Sequence, residues 1–374
     1  MKIGFDSRTL MVKGGSRTYA YNLIQEIMKE HKEIEIALFG GDKVQNYTPI
    51  NPFPQNEFLR VIWENLSIIP YMKKEGIDVF HGLKNVAPYY NYSNTKTVIT
   101  VHDITPLIFP SMLPLKAQMY WNIIKFNIKK ADKIISVSNT TKNDLIKTLN
   151  IDKDKISVIY HGISEEFKII PTVEKNRSVY LAKYGLNLPE SSIVVLAVST
   201  IHPRKNYLNL ITAFNAVKEK SSIPVHLVIV GKVDNESYSK EVNHLIATNN
   251  LSNNVHLLGY VPDEELPALY NLADLFVYPS IYEGFGLPIL EAQACGCPVI
   301  TSNLSSMPEV AGNGAILVDP TNMEEITSAI YTLVLDSRLR KELIEKGMEN
   351  CKKFSWEKCA EETLNVYAGV NNGK

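Results

Sequence analysis

The stretch YPSIYEGFGLPILEAQACGCPV, residues 278–299, decides the fold of the region around it. An apolar segment, residues 274–278, leads into a glycine-bearing turn, residues 283–286. The pair Leu287-Pro288 predicts the start of a helix, because a first turn tolerates proline, whose missing N–H would have no partner there. Gly296 predicts the end of that helix. We therefore expect a strand, a turn and a helix whose N-terminus lies at the carboxyl edge of a sheet.

The turn is a predicted anion site with two carboxylates near it. The first N–H groups of a helix and the positive end of its dipole attract phosphate groups. Glu283 lies in the turn, and Glu291 lies seven residues into the helix if Gly284 is the cap. Each carboxylate can accept hydrogen bonds from a pair of hydroxyls, such as a sugar presents. Taken singly, an acid before a helix has a plainer explanation, since the dipole alone favours it.

The length and composition predict a folded chain of two domains. The 374 residues suit two domains better than one, and a hydrophobic fraction of 45% is enough for packed cores. No apolar run reaches the ~18 residues that a membrane span needs, and the N-terminus MKIGFD predicts a strand rather than a signal peptide. We therefore expect a cytoplasmic chain. The cysteines lack the spacing of a zinc site, so we expect four reduced apolar side chains, Cys295, Cys297, Cys351 and Cys359.

The charge is unevenly divided. Residues 1–170 carry 22 Lys and Arg against 17 Asp and Glu, a net charge of +5. Since the whole chain has a net charge of −1, residues 171–374 carry a net charge of −6. A mildly basic first half favours an anionic acceptor or an anionic membrane surface, and the bias is too small to indicate nucleic acid. Residues 111–133 mix aromatic side chains with lysines. They predict either an amphipathic helix resting on a membrane or a core-packed helix with a lysine-rich solvent face.

Apolar segments alternate with segments of helical periodicity along both halves of the chain. This alternation predicts a parallel, doubly wound sheet in each half, an architecture that binds ligands at the carboxyl ends of its strands. The charged stretch 165–187 is interpreted as the interdomain connection, with a helix of its own. The predicted strands are residues 2–6, 34–39, 79–81, 97–101, 133–137 and 157–160 in the first half, and 193–198, 225–230, 255–258, 274–278, 299–301 and 315–318 in the second.

Three groups of residues follow predicted strands. Gly14-Gly15-Ser16 allows backbone to approach a ligand closely. His102-Asp103 follows the strand at residues 97–101, where a histidine is often only a hydrogen-bonded structural residue. Arg204-Lys205 follows the first strand of the second half, and two adjacent cations there are well placed to neutralise a diphosphate.

The EGFGLPILEAQACGCPVIT stretch, with its spacing of Glu283 and Glu291, resembles the donor-site signature of retaining glycosyltransferases of the GT-B fold, above all glycosyltransferase family 4. The stretches VHDITPLIFP, STIHPRKN and VHLLGYVP share the resemblance, which covers nearly the whole chain. It implies two Rossmann-like, doubly wound parallel-sheet domains facing a cleft. They would be an acceptor-side domain at residues 1–170 and a nucleotide-sugar domain at residues 171–355, with a helix at residues 356–374 crossing back to the first.

The resemblance also implies roles for individual residues. The cations would contact the donor pyrophosphate, Glu283 the donor sugar and Glu291 the ribose, while backbone groups after Gly259 would meet the base. Residues with catalytic roles would be His102, Arg204, Lys205 and Glu283. Further donor-binding residues would be Gly14, Gly15, Ser199, Tyr260, Val261, Gly284, Phe285, Gly286, Leu287 and Glu291. Ser16 and Asp103 would lie on the acceptor side.

The implied activity is retaining transfer of a hexose from a nucleotide-diphosphate sugar, with the leaving diphosphate accepting the acceptor's proton. The sequences of the motifs most resemble those of bacterial mannosyltransferases that use GDP-mannose. The resemblance implies a role in cell-surface polysaccharide synthesis, with a glycan or a lipid-linked molecule as the acceptor. A UDP-sugar donor remains an alternative, as does a non-catalytic nucleotide-sugar-binding module. A dinucleotide-binding GxGxxG is absent, because its third glycine position falls on Ile289. Asp152-Lys153-Asp154 is interpreted as a solvated turn, so no metal or other cofactor is expected.

Overall fold

The computed structural model describes residues 1–11, 14–40, 61–88, 94–110 and 115–372. The chain divides into two compact units, Met1–Gly162 with Phe354–Lys374, and Ile163–Lys353. Each unit is built on one sheet, and all of the described strand pairs are parallel. The predicted pair of doubly wound parallel sheets is confirmed. The expected boundaries at residues 170 and 355 lie eight and two residues beyond those of the structure, at 162 and 353.

The described part of the first sheet has six strands in the order β2-β1-β3-β4-β5-β6. Its strands are short apolar runs, because a parallel sheet is covered on both faces. These strands are β1 (Lys2–Asp6), β2 (Glu35–Phe39), β3 (Val79–Gly82), β4 (Lys96–Val101), β5 (Lys133–Ser136) and β6 (Ile156–Val158).

Helices cover both faces of this sheet. On one face, α1 (Gly15–Glu30) and the last helix, α15 (Trp356–Asn372), pack in a core with Phe5 and Val98. The helices on the other face are α2 (Ile69–Lys74), α4 (Leu115–Lys130) and α5 (Asn139–Leu149), with the short α3 (Thr105–Ile108) beside them.

The described part of the second sheet has six strands in the order β12-β11-β10-β7-β8-β9. These strands are β7 (Ile193–Val198), β8 (Val225–Val230), β9 (Val255–Gly259), β10 (Leu275–Tyr278), β11 (Val299–Ser302) and β12 (Ala315–Val318). The predicted strands of both halves are all present, with ends shifted by a residue or two. Because β7 and β10 pair directly, their carboxyl ends lie side by side.

The helices of the second unit pack on both faces of its sheet. One face is covered by α8 (Tyr207–Lys220), α9 (Glu236–Thr248) and α13 (Met323–Leu335). On the other face the ring of Tyr270 packs against Phe276, with centroids 5.4 Å apart. The remaining helices are α6 (Pro171–Lys175), α7 (Arg177–Lys183), α10 (Leu266–Leu272), α11 (Leu287–Ala294), α12 (Met307–Ala311) and α14 (Ser337–Cys351).

The charged stretch 165–187 is interpreted from its sequence as an interdomain connection with one helix, and its structure is different. It contains two short helices, α6 and α7, and belongs to the second unit. Arg177 pairs with Asp274 at the start of β10, and the Ile170 N–H donates to Asn271 at 2.6 Å. These contacts, together with the burial of Val173 and Leu181, hold the weakly periodic segment on the second unit.

The C-terminal helix α15 is part of the first unit. It docks through a glycine contact, since a Cβ added at Gly162 would lie 2.2 Å from the Trp356 backbone nitrogen. Any larger residue at position 162 would therefore push the start of α15 away from the sheet.

Two further expectations can be compared with the structure. All four cysteines are free thiols, as predicted. Among the helices that the structure describes, none combines the length and apolar character needed to cross a bilayer.

Candidate functional site

The turn after β10 and the helix that follows it form as predicted. The helix is α11, but its N-cap is Gly286 rather than Gly284. Gly286 has a φ of 113°, a backbone conformation that glycine adopts without a Cβ penalty. Glu291 therefore lies in the second turn of the helix, closer to its mouth than the spacing from Gly284 predicts.

Glu283 lies between the two predicted cations. Its Oε2 is 2.7 Å from Arg204 Nη1, and its Oε1 is 2.5 Å from Lys205 Nζ. The glutamate and the lysine are each only 8% exposed. Lys205 Nζ also donates to the Tyr278 hydroxyl at 2.7 Å, so its position is fixed from the last residue of β10.

The charges of this cluster determine the state of the carboxyl group. Burial raises the pKa of Glu283, but the charges of Arg204 and Lys205 outweigh burial and lower the pKa to about 2. Glu283 is therefore ionised at neutral pH. Two cations and one carboxylate leave these three side chains with one net positive charge beside the N-terminus of α11.

Sequence reasoning missed the serines that fix the turn. Ser306 Oγ lies 2.6 Å from the Phe285 carbonyl oxygen and 2.9 Å from that of Glu283, and the Glu283 N–H donates to Ser305 Oγ at 3.1 Å. Both serines lie in the loop after β11, which is next to β10 in the sheet. Nothing in the spacing of these serines from Glu283 indicated the contact, because strand order alone brings them together.

Asn206 also holds the site and was not predicted to do so. It follows Arg204-Lys205 in the left-handed conformation, with a φ of 63°. Its Nδ2 donates to the carbonyl oxygens of Pro279 at 3.1 Å and Pro320 at 2.7 Å. One amide thus joins the loops that follow β7, β10 and β12.

Glu291 is in a different environment from Glu283. Its Oε2 accepts a hydrogen bond from the Tyr270 hydroxyl at 2.8 Å. Burial raises the pKa of Glu291 to about 7, the hydrogen bond from Tyr270 opposes this rise, and the carboxylates of Asp263 and Glu166 add to it. The two glutamates of the motif therefore differ: Glu283 stays ionised, whereas Glu291 changes its protonation state near neutral pH.

The remaining donor-side candidates lie at other strand ends of the second unit. Ser199 follows β7, and its Oγ is 2.6 Å from the Tyr207 hydroxyl. Tyr260 and Val261 follow β9; the tyrosine is 46% exposed and the valine is buried. Strand order places Ser199, Arg204 and Glu283 at adjacent strand ends, with Tyr260 at the edge strand.

The candidates of the first unit lie together at the carboxyl end of β4 and the start of α1. Gly14 is the N-cap of α1, and Gly15 and Ser16 are its first residues. The ring of Tyr19, in the second turn of α1, packs nearly perpendicular to that of His102, with centroids 5.0 Å apart. Asp103 Oδ1 accepts the N–H of Thr105, the first residue of α3, at 2.9 Å.

His102 is held in one tautomer. Its Nε2 lies 2.9 Å from the Leu83 carbonyl oxygen, which can only accept, so Nε2 carries the hydrogen. Burial lowers the pKa of His102 to about 4, and the Leu83 carbonyl and Asp103 oppose this shift. The ring is therefore neutral at pH 7, with its lone pair on Nδ1.

The comparisons with known proteins agree with this geometry. A family model described as glycosyl transferases group 1 matches residues 182–350, and one described as glycosyltransferase family 4 matches residues 13–167. O-antigen chain mannosyltransferase B of Escherichia coli is 32% identical over 291 residues, which cover 77% of this chain and 74% of that protein. The chain belongs to glycosyltransferase family 4.

Other relatives of this glycosyltransferase are more distant or longer. Serotype-specific mannosyltransferase WbdA of Escherichia coli is 32% identical over 265 residues, which cover 70% of this chain but only 32% of that protein. The structure of HepE from Anabaena in complex with UDP-glucose aligns with a TM-score of 0.78 over 99% of this chain and 100% of that chain. At 20% identity, this likeness shows that the glycosyltransferase shares the GT-B fold.

In the part of the chain that the structure describes, His, Cys, Asp and Glu side chains form no group of three that could hold a metal ion. Asp152-Lys153-Asp154 is an exposed turn in which Asp152 accepts the Asp154 N–H at 3.0 Å, as predicted. The carboxylates of this DxD spelling thus belong to a local turn.

Substitution of Asn206 tests how the site of this glycosyltransferase is held together. Asn206→Ala should lower the free energy of unfolding by about 3 kcal/mol. The buried Pro279 carbonyl loses the amide donor, the Pro320 carbonyl keeps only Asn209 Nδ2, and alanine is strained in the left-handed region. Asn206→Gly should cost about 1 kcal/mol less, since glycine accepts that backbone conformation. Urea unfolding of both variants measures the difference, and equal losses would show that backbone conformation contributes nothing at this position.

Proposed function

We propose that this glycosyltransferase transfers mannose, with retention of configuration, from GDP-mannose to a glycan or lipid-linked acceptor in the synthesis of cell-surface polysaccharide. The observation that carries the proposal is the ion cluster of Glu283 with Arg204 and Lys205 beside the N-terminus of α11. A net positive charge at a helix N-terminus suits a diphosphate. A buried carboxylate at the same place suits the hydroxyls of the sugar attached to it.

The chemistry follows from what these groups can stabilise. As the bond from the anomeric carbon to the diphosphate breaks, negative charge grows on the leaving oxygen. Arg204, Lys205 and the N–H groups that begin α11 stabilise that charge without a metal ion. The acceptor hydroxyl attacks from the same face and gives its proton to the leaving phosphate oxygen. Glu283 binds sugar hydroxyls and stabilises the cationic character of the anomeric carbon.

The choice of donor rests on relatives. Both of the relatives described above are named as mannosyltransferases. One is an O-antigen chain mannosyltransferase, and the other is a serotype-specific mannosyltransferase. The solved neighbour with UDP-glucose favours the second candidate, a UDP-sugar donor, because it shows that this fold can hold that nucleotide. Tyr260 and Val261 would meet the base through backbone groups. Because every residue has the same backbone, the sequence does not indicate which base they would bind.

A transfer assay separates the two donors. The protein should transfer label from GDP-mannose and not from UDP-glucose to lipid-linked acceptors extracted from cells that assemble polysaccharide. Excess EDTA should leave the rate unchanged, since side chains and a helix terminus neutralise the diphosphate. Transfer from UDP-glucose alone would overturn the choice of donor. Complete loss in EDTA with rescue by Mg²⁺ or Mn²⁺ would overturn the metal-independent mechanism.

Substitutions in the ion cluster separate binding from transfer. Arg204→Ala should weaken GDP binding about 10- to 150-fold, because a hydrogen bond to a charged group contributes about 1.5–3 kcal/mol. Glu283→Gln should leave GDP affinity unchanged or raise it, since the carboxylate competes with phosphate for both cations, and should strongly depress kcat. Titration calorimetry and steady-state kinetics measure both effects, with the exposed Arg338→Ala as the matched control.

The opposite pattern would contradict these assignments. If Glu283→Gln lost GDP affinity and kept kcat, the carboxylate would serve binding rather than transfer. Unchanged GDP affinity in Arg204→Ala would remove the diphosphate from this cluster.

The pKa of Glu291 predicts how donor binding depends on pH. If Glu291 binds the ribose hydroxyls, donor affinity should rise as pH increases through about 7, because the ionised carboxylate accepts stronger hydrogen bonds than the neutral acid. A gain of about 1 kcal/mol corresponds to roughly fivefold tighter binding at pH 8 than at pH 6. Calorimetry with the intact nucleotide sugar avoids titration of a terminal phosphate. Glu291→Gln should bind equally at both pH values, and a retained pH dependence would assign the effect to another group.

The outward face of α4 suits a membrane that carries a lipid-linked acceptor. The helix packs on the core through Ile124, Asn127 and Ile128, as its core-packed alternative predicted. Its solvent face, however, exposes Leu115 (73%) and Met119 (65%). At helical spacing these residues share one stripe, also lined by Phe126 and flanked by Lys116, Lys125, Lys129 and Lys130. Residues 111–114 of the predicted segment lie outside the described residues.

Vesicle sedimentation tests this contact. The protein should sediment with vesicles that contain phosphatidylglycerol at low salt, and less with pure phosphatidylcholine. Leu115→Ser combined with Met119→Ser should reduce sedimentation severalfold. Leu335→Ser removes a leucine that is 52% exposed on the second unit and serves as the control. Equal sedimentation of all three proteins would contradict the proposed surface.

A further inference from the structure

A chain of buried hydrogen bonds links the C-terminal helix to the neighbourhood of His102. The Tyr367 hydroxyl lies 2.5 Å from His81 Nδ1, and His81 Nε2 lies 2.8 Å from Thr100 Oγ1. Thr100 Oγ1 lies 2.8 Å from the Tyr19 hydroxyl. All four residues have no exposed surface. The chain thus runs from α15 through β3 and β4 to α1.

A stack of rings reaches Tyr19 from the same helix. Trp356, the first residue of α15, stacks on His161 with centroids 5.7 Å apart. His161 stacks in turn on Tyr19 at 4.9 Å, with an angle of 27° between the rings. Tyr19 therefore receives contacts from both ends of α15: through hydrogen bonds at its hydroxyl and through stacking on its ring.

Tyr19 restricts a rotation of the His102 ring that the hydrogen bond of His102 leaves open. The bond from Nε2 to the Leu83 carbonyl oxygen fixes one direction of the imidazole but allows the ring to rotate about that direction. The ring of Tyr19, which lies at an angle of 81° to the imidazole, blocks this rotation. Tyr19 and His161, whose ring centroid lies 5.4 Å from that of His102, thus limit where His102 Nδ1 points.

His81 makes the chain rigid. Burial lowers the pKa of His81 to about 3, and the neighbouring His102 lowers it further in the same direction. The neutral ring has one N–H and one lone pair, and Thr100 and Tyr367 engage both. Loss of either partner would leave a buried nitrogen unpaired, which is costly enough to move the ring.

We propose that Tyr367, acting through His81, Thr100 and Tyr19, is a positioning residue that orients the ring of His102 for glycosyl transfer. The proposal rests on the proposed role of His102 at the reacting centre. Nothing in the sequence pattern of α15 indicates such a role, because Tyr367 occupies an ordinary apolar position of that helix.

Tyr367→Phe in the full-length protein tests the proposal, with Leu364→Ala as the matched control. Leu364 lies on the same helix and packs against the same core, but its side chain forms no hydrogen bond. Tyr367→Phe should lower kcat about tenfold, since a small misplacement of a reacting group is costly, while GDP affinity stays within twofold of the parent. Leu364→Ala should lose at least as much stability and keep kcat within twofold.

NMR of ring-labelled histidine gives a readout that a purely structural role would not move. The His102 ring signals, assigned with His102→Ala, should shift in Tyr367→Phe and stay in place in Leu364→Ala. In a double-mutant cycle, Tyr367→Phe should have no further effect on kcat in the His102→Ala background.

The outcomes distinguish failure of this inference from failure of the proposed function. Unchanged His102 signals in Tyr367→Phe, an equal kcat loss in Leu364→Ala, or additive losses in the cycle would each overturn the positioning role. If His102→Ala kept full activity while its signals had shifted in Tyr367→Phe, the positioning contact would stand and the catalytic role of His102 would fall.

Discussion

The buried ion cluster of Glu283 with Arg204 and Lys205 is the interaction on which the arrangement of the candidate site in the second unit depends. A carboxylate taken out of water is stable only when opposite charges and hydrogen bonds replace its hydration. Here Arg204 and Lys205 do so, and each cation benefits from the same carboxylate. The turn at residues 283–286 cannot move far without leaving buried charges unpaired, so the mouth of α11 keeps its place.

Sheet topology makes that cluster possible. β7 and β10 pair directly although about 80 residues separate the cations from the glutamate, and β11 lies on the other side of β10. The loops after these neighbouring strands therefore meet, which brings Asn206 to Pro279 and Ser306 to the Glu283 carbonyl. A parallel sheet collects its loops at one edge, so side chains from distant motifs become one site.

Around His102, the first unit relies on neutral groups instead. Its His81 and His102 are kept uncharged by burial. Both His81 nitrogens are paired with hydroxyl groups, and His102 Nε2 is paired with the Leu83 carbonyl oxygen. The C-terminal helix closes this arrangement through Tyr367 and Trp356. The candidate site of the second unit thus rests on paired charges, whereas the surroundings of His102 in the first unit hold a neutral imidazole.

The sequence by itself determined the strands, the strand-turn-helix around residues 278–299 and the family, because these depend on local periodicity, glycine and proline positions, and motif wording. It also brought Arg204, Lys205 and Glu283 to attention. Only the tertiary structure decided that Glu283 pairs with both cations, that Gly286 caps α11, and that residues 165–187 pack as part of the second unit. The partners Asn206, Ser306, His81 and Tyr367 were likewise invisible in the sequence. Hydrogen bonds and ion pairs between residues that lie far apart are set by strand order and helix docking, which no local pattern encodes.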